Sequence, residues 1–249
     1  MNDLNSIQGK SALILGGSRG IGAAIARRLA AGGANVVLTY VNGAAAAEAV
    51  VADITAKGGR AIAFQADSAS DTAIEAAVAK TKEAFGGLDI LVNNAGIAKF
   101  SPIEDYPIED LDSTLAINVR AAVVASKFGA RAMNNGGRII HIGSTNAERM
   151  PGQGGAVYAM SKSALQGLTK GLARDLGPRG ITVNNVQPGP VDTDMNPKDG
   201  PFAEQLMPLL AVGRYGHADE VASFVAYLAG PEAGNITGAN LLIDGGFAA

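Results

Sequence analysis

SALILGGSRGIGAAIARRLA, residues 11–30, decides the fold. Its first five residues are an apolar run of the length expected for a strand buried on both faces. Glycines follow at 16, 20 and 22, and an Ala-rich stretch with helical patterning then runs to about residue 31. A strand that turns directly into a helix brings free N–H groups and the positive end of the helix dipole to one point. There Gly16 permits a tight turn, Gly20 lets the backbone approach a phosphate, and Gly22 lets the helix pack closely. Ser18, Arg19 and Ile21 complete the loop. No Lys-Ser or Lys-Thr follows it, which excludes a P-loop. The stretch reads as the pyrophosphate turn of a dinucleotide site.

The same alternation continues outward. Strands are expected at 35–40, 60–65, 88–96, 137–144, 181–189 and 240–244, and helices at 44–57, 71–85, 109–133, 156–176 and 218–229. Helix 109–133 should break or bend near its start, just after Pro107, with Asp110 or Asp112 as its cap. Gly177, Pro178 and Gly180 end helix 156–176. Strands alternating with helices imply right-handed crossovers and a parallel sheet. The fold class is therefore α/β, a Rossmann-type doubly wound sheet of mainly seven parallel strands with helices on both faces. Residues 1–249 read as one domain. Residues 190–217, with four prolines and three glycines, form a substrate-side excursion carrying a short helix near 202–210.

Composition narrows the function. The 249 residues hold 33 glycines, against about 17 in an average chain of this length, without a three-residue period. Twenty basic and 23 acidic side chains give a net charge of −3. That balance argues against a nucleic-acid polymer or an anionic membrane as partner. Without cysteine there is no thiolate metal site or catalytic thiol, and two histidines make a His-rich metal site improbable. No metal is expected. The N-terminus lacks a signal-peptide pattern and no apolar run reaches 18 residues, so the chain reads as cytoplasmic.

Strand two ends at Tyr40, where an acidic residue would bind the adenosine ribose and disfavour a 2′-phosphate. With Tyr40 there and Arg19 projecting from the loop, the expected cofactor is NADP(H). Asp67, after strand three, reads either as an acceptor for the adenine amine or as the cap of helix 71–85.

The chemistry gathers at the other end of the site. Tyr158 and Lys162, in YAMSK, stand four apart on one helix face. A neighbouring ammonium favours phenolate and so moves the tyrosine toward a useful acid–base range. Ser144 ends strand five, at the sheet edge where such folds bind ligands. His141 reads as a packed histidine and His217 as a loop or capping residue. Met150, Met195, Phe202, Leu206 and Met207 are divided between an apolar substrate wall and ordinary packing, and Arg149 is the basic candidate at the mouth.

Together GGSRGIG (16–22), the Asp67 position, NNAG (93–96), Asn118, Ser144, YAMSK (158–162) and QPGPVDTDM (187–195) resemble the classical short-chain dehydrogenase/reductase family across residues 8–247. The resemblance implies an enzyme that reduces a small-molecule carbonyl. Tyr158 would be its proton donor, Lys162 would tune that group and hold the nicotinamide ribose, Ser144 would polarise the carbonyl, and Asn118 would anchor a relay water. Ser68 would join Asp67 beside the adenosine, with Asn94, Ala95 and Gly96 nearby, while Pro188, Gly189, Val191 and Thr193 would surround the nicotinamide. One departure is Leu15, where the family commonly has a threonine whose hydroxyl ties the loop to a neighbour.

Within the family, the chain resembles 3-oxoacyl-acyl-carrier-protein reductase-like carbonyl reductases. LILGGSRGIGAAI (13–25), ERMPG (148–152), SKSALQG (161–167) and QPGPVDTDMNP (187–197) are closer still to a branch that binds cyclic di-GMP. That likeness implies an alternative, a cyclic di-GMP-binding regulator on the reductase scaffold. The family also implies a homotetramer built on helices 112–133 and 156–176 and strand 240–244, with Ala121, Ala122, Ala164 and Gly167 permitting close helix approach.

Overall fold

The computed structural model describes residues 7–249. The part of the N-terminal reading that falls on residues 1–6 lies outside the described residues. The chain alternates as expected: β1 (Ser11–Leu15), α1 (Gly20–Ala31), β2 (Asn35–Tyr40), α2 (Ala44–Ala56), β3 (Arg60–Gln65), α3 (Asp71–Phe85) and β4 (Leu88–Asn93). The second half adds α4 (Ile108–Leu115), α5 (Ala121–Ala132), β5 (Met133–Ile142), α6 (Ala156–Leu176) and β6 (Thr182–Pro188). It ends with β7 (Val191–Asp192), α7 (Ala203–Leu206), β8 (Gly216–His217), α8 (Ala218–Ala229) and β9 (Asn240–Ile243).

Seven strands form one sheet in the order β3-β2-β1-β4-β5-β6-β9, every pair parallel. Alternation along β1 divides the core. Ala12 and Ile14 join the layer under α1, α2 and α8, whereas Leu13 and Leu15 join the layer under α3, α5 and α6. Helices therefore cover both faces, and the fold is the doubly wound Rossmann type. Chain order reverses between β1 and β4, so the loops after these two strands diverge and leave a crevice at their carboxyl ends.

Three expectations change. The long helix is not capped by Asp110 or Asp112: Pro107 occupies the N-cap without a side-chain bond, and Asp110 pairs with Lys99 at 2.5 Å instead. Nor does the helix bend near its start. It is interrupted midway by a π-helical turn at Ala116–Arg120, a local widening that adds one residue to the turn. Asp67 does not cap α3. Ser70 does, accepting the Ala73 N–H, while the Asp67 carboxylate accepts the Ala69 N–H at 2.8 Å. The parallel pairing of β7 with β8 is an addition that two-residue strands give no periodicity to reveal.

Candidate active site

The glycine loop is built by close contact. Gly16 and Gly20 have φ of +72° and +53°, the left-handed region that glycine enters at no steric cost. A Cβ on Gly22 would lie 2.2 Å from the Gly16 carbonyl oxygen and 2.5 Å from Asn94 Nδ2. Asn94 itself closes the loop from β4, donating to the Gly16 oxygen at 2.7 Å and the Leu15 oxygen at 3.3 Å. The tie that Leu15 cannot make comes from β2: Thr39 Oγ1 accepts the Gly16 N–H at 2.9 Å. At the head of α1, Arg19 caps without a side-chain bond and no acidic residue occupies the first turn. The N–H groups of that turn therefore face the crevice unshielded, as an anion site requires.

The neighbouring segments close in on this loop. A Cβ on Gly16 would touch Ala95 at 3.0–3.2 Å, and one on Gly20 would reach the Thr193 methyl at 3.5 Å. The glycine loop thus faces both NNAG and the segment after β6. Gly189 donates to the Ile243 oxygen at 3.1 Å, and Val191 enters the short β7 pairing with Gly216. Ser18 approaches Gly43 just beyond β2, while Tyr40 packs on the α1-side core. Arg19 is exposed, and its guanidinium forms no hydrogen bond or ion pair among the described residues. Asp67 lies exposed at the end of β3, next to the buried Ser68.

Gly96 links the two ends of the site. Its hypothetical Cβ would stand 3.3 Å from Lys162 Nζ and 3.4 Å from Asn118 Oδ1. Asn118, carried inward by the π turn, grips the backbone of Ile97 in both directions: Oδ1 accepts its N–H at 2.8 Å and Nδ2 donates to its carbonyl at 2.9 Å. Nδ2 also donates to Ser161 Oγ at 3.0 Å. Lys162 is buried and donates to the Ile142 carbonyl at 3.0 Å, and burial pulls its ammonium down to about 8. Ser144 Oγ is fixed by the Asn146 N–H at 3.1 Å and acts on the Tyr158 phenol electrostatically.

The electrostatics of Tyr158 differ from the sequence expectation. Part of its ring reaches the cleft surface, yet burial of the hydroxyl pushes the phenol above its ordinary value, and Ser144 works against that. Lys162 is not the group that opposes burial. Its ammonium points to the Ile142 carbonyl and stands 5.9 Å from the centre of the tyrosine ring. His141 is fully buried in β5, its Nδ1 3.0 Å from Asn93 Nδ2, and burial first and Lys162 second bring it down to about 4. His217 is the N-cap of α8, its N–H donating to Glu220 at 2.8 Å.

Phe100 is a wall residue that the sequence reading missed. Its ring sits 5.6 Å from Tyr158 and 6.1 Å from Phe202, and both phenylalanines are about half exposed. It follows the NNAG motif without periodicity or partner in sequence, so only the folded loop reveals it. Met195 is exposed, Met150 packs under Gly155, and Leu206 and Met207 pack on Leu210, Tyr215 and Phe247. Arg149 is not a free cation at the mouth: Nη1 donates to the Phe247 carbonyl at 2.7 Å. Lys99 and Lys198 pair with Asp110 and Asp192.

A parallel doubly wound sheet with an open glycine turn at its switch point, and a Ser–Tyr–Lys group at the same edge, defines a dinucleotide-dependent oxidoreductase. The comparisons narrow that class. A family model described as enoyl-(acyl carrier protein) reductase matches residues 16–248. A short-chain dehydrogenase/reductase from Serratia marcescens superposes with a TM-score of 0.96 at 63% identity, over 98% of this chain and 99% of that one. A Burkholderia cenocepacia short-chain dehydrogenase, solved in complex with NADP, gives 0.96 at 57% identity over 98% and 99%. The cyclic-di-GMP-binding biofilm dispersal mediator protein of Escherichia coli is 51% identical over 99% of this chain and 100% of its own. This chain belongs to the short-chain dehydrogenase/reductase family and is an enzyme of that family.

Proposed function

We propose that the chain is an NADPH-dependent reductase of a ketone or 3-oxoacyl-type carbonyl, with Tyr158 as proton donor. One observation carries the reading: a run of close contacts from Gly22 and Gly16 through Asn94 and Gly96 to Asn118 and Lys162, with the Tyr158 ring centre 5.9 Å from Lys162 Nζ. The cofactor supplies hydride when bound. Gly16, Ser18, Gly20, Ile21 and Gly22 would present the turn and the α1 N–H groups to its pyrophosphate, and Asp67, Ser68, Ala95 and Gly96 would border its adenosine half. Pro188, Gly189, Val191 and Thr193 surround its reactive ring.

At that ring Ser144 donates to the carbonyl oxygen, and the Tyr158 hydroxyl transfers its proton as negative charge develops there. Such general-acid transfer is worth roughly 10²–10⁴ in rate. Lys162, its Nζ 5.9 Å from the centre of the tyrosine ring, would return a proton to the phenolate, and Asn118 would anchor the water of the relay that reaches Lys162. The raised phenol of the chain alone suits a group that must keep its proton until the carbonyl oxygen takes it. Phe100, Phe202 and Met195 favour a flat or apolar substituent over a charged one.

Arg19 and Tyr40 select NADPH, a reading supported by the NADP complex of the Burkholderia relative. Arg19→Ala is expected to weaken NADPH by about tenfold while leaving NADH nearly unchanged, because only NADPH carries the 2′-phosphate that the guanidinium meets. Equal catalytic efficiency with NADH in the unmodified enzyme would overturn the assignment. The likeness to the dispersal mediator supports a second reading, capture of cyclic di-GMP on the same scaffold. Calorimetric titration decides it: saturable heat supports the regulator, and its absence removes it.

A homotetramer is the assembly we expect. Met160, Ala164, Gly167 and Gly171 form an exposed stripe along α6, and nothing lies within 4 Å of the positions where Cβ atoms would stand on either glycine. Ala121 and Ala122 are instead buried within the chain's own core. Light scattering that gives a monomer at micromolar concentration would remove this part.

A further inference from the structure

The residues after β9 do more than end the sheet. Phe247 is only 1% exposed and is the centre of a small apolar cluster with Leu210 and Tyr215, against which Leu206, Met207 and Leu209 pack. Those partners all belong to the excursion that carries α7 and, at its leading edge, Phe202. The backbone fixes the same contact: the Val212 N–H donates to the Gly245 carbonyl at 3.2 Å. Gly245 and Gly246 have φ of +63° and +79°, and Cβ atoms there would meet Val212 at 2.9 Å and Ala211 at 2.7 Å.

The opposite side of this segment holds the loop that follows Ser144. Thr145, the next residue, donates from Oγ1 to Asp244 Oδ2 at 2.9 Å. The Asp244 carboxylate also accepts the N–H groups of Gly246 and Ala248, each at 3.0 Å, which curls the segment back on itself. Arg149 closes the loop from its other end. It donates to the main-chain oxygens of Phe247 and Ala249 at 2.7 and 3.4 Å, with its guanidinium carbon 5.8 Å from the centre of the Phe247 ring.

From these contacts we infer that residues 244–249 are a clasp between the Ser144 loop and the substrate-side excursion, with Phe247 and Arg149 as positioning residues for substrate specificity. Neither side chain touches the reacting atoms. Each fixes where Phe202 and its neighbours stand relative to Ser144, so their loss loosens the apolar wall while the glycine turn, whose close neighbours are Leu38, Asn94, Ala95 and Thr193 rather than residues 244–249, keeps its geometry. The effect on substrate handling rests on the reductase reading above; the mechanical link does not.

The test uses the full chain with Phe247→Ala, Phe247→Leu and Arg149→Met, read by hydrogen exchange of peptides spanning 202–215, by NADPH affinity, and by kcat and KM for an aryl ketone. For Phe247→Ala we expect exchange in 202–215 to quicken by about tenfold, since losing the cluster's central ring lowers the local opening cost. NADPH affinity stays within about twofold and KM rises by about fivefold with kcat much less changed, the pattern of lost substrate positioning. Phe247→Leu restores most of both effects. Unchanged exchange in 202–215, or acceleration spread equally over the whole sheet, overturns the clasp. Should Phe247→Ala fail to fold, Arg149→Met decides by the same two exchange outcomes. A chain without carbonyl reduction defeats the reductase reading and leaves the exchange result to judge the clasp.

Discussion

Gly22 is the residue where the sequence reading and the geometry coincide most closely. Its third-glycine position in the motif was legible because only a missing side chain satisfies that contact, and the structure puts a carbonyl oxygen 2.2 Å from where a Cβ would be. Gly22→Ala is therefore expected to lower NADPH affinity by more than about tenfold, since a clash with fixed backbone has no cheap relief; titration of NADPH fluorescence measures it, and unchanged affinity would contradict the cradle. Arg149 shows the opposite case. Its charge was visible in the sequence, but its partner is a main-chain oxygen nearly a hundred residues away, which no local pattern encodes. His141 gives a pH test. Its folded value of about 4 lies below the ordinary 6.5, so the unfolded chain binds the proton first as pH falls. Stability is full above about pH 6.5 and is lost between there and about pH 4, by about 3 kcal/mol at most. Urea midpoints at pH 7 and 5 should separate, and the separation should shrink in His141→Gln; an equal drop in both proteins would refute it.

At the scale of elements, most boundaries were legible where period and punctuation agree. β1 through α3 fall within a residue of expectation because Gly, Ser and Asp stand at the turns. β5 starts four residues earlier than expected, at Met133, through a register shift opposite Leu88 and Ile90 that glycine-rich sequence conceals. The π turn was invisible, because AINVR has the composition of ordinary helix. It nevertheless decides the site, since it carries Asn118 to the Ile97 backbone. Asn118→Ala strips the partners from both the N–H and the carbonyl of Ile97 and should cost about 2 kcal/mol of stability along with turnover. Urea unfolding checks the first and steady-state kinetics the second; full stability in the variant would show that the π turn holds Ile97 by other means.

For the whole molecule, the doubly wound parallel class was readable from the strand–helix alternation, which admits few right-handed topologies, whereas the strand order came from the structure. The proposed position of the chemistry follows the rule that doubly wound sheets gather ligands at their carboxyl edge. The substrate side was legible only in part. Phe202 could be named from composition, but Phe100 and the clasp at Phe247 depend on loops meeting in space. In the proposed mechanism the edge works as a unit, the glycine end placing the hydride and Tyr158 delivering a proton. The direct measurement is NADPH oxidation with an apolar ketone by the unmodified enzyme and by Tyr158→Phe, with NADPH affinity followed in both. The account predicts turnover that falls by at least about a hundredfold in the variant while NADPH affinity stays within about threefold. Turnover undiminished by the substitution would contradict it.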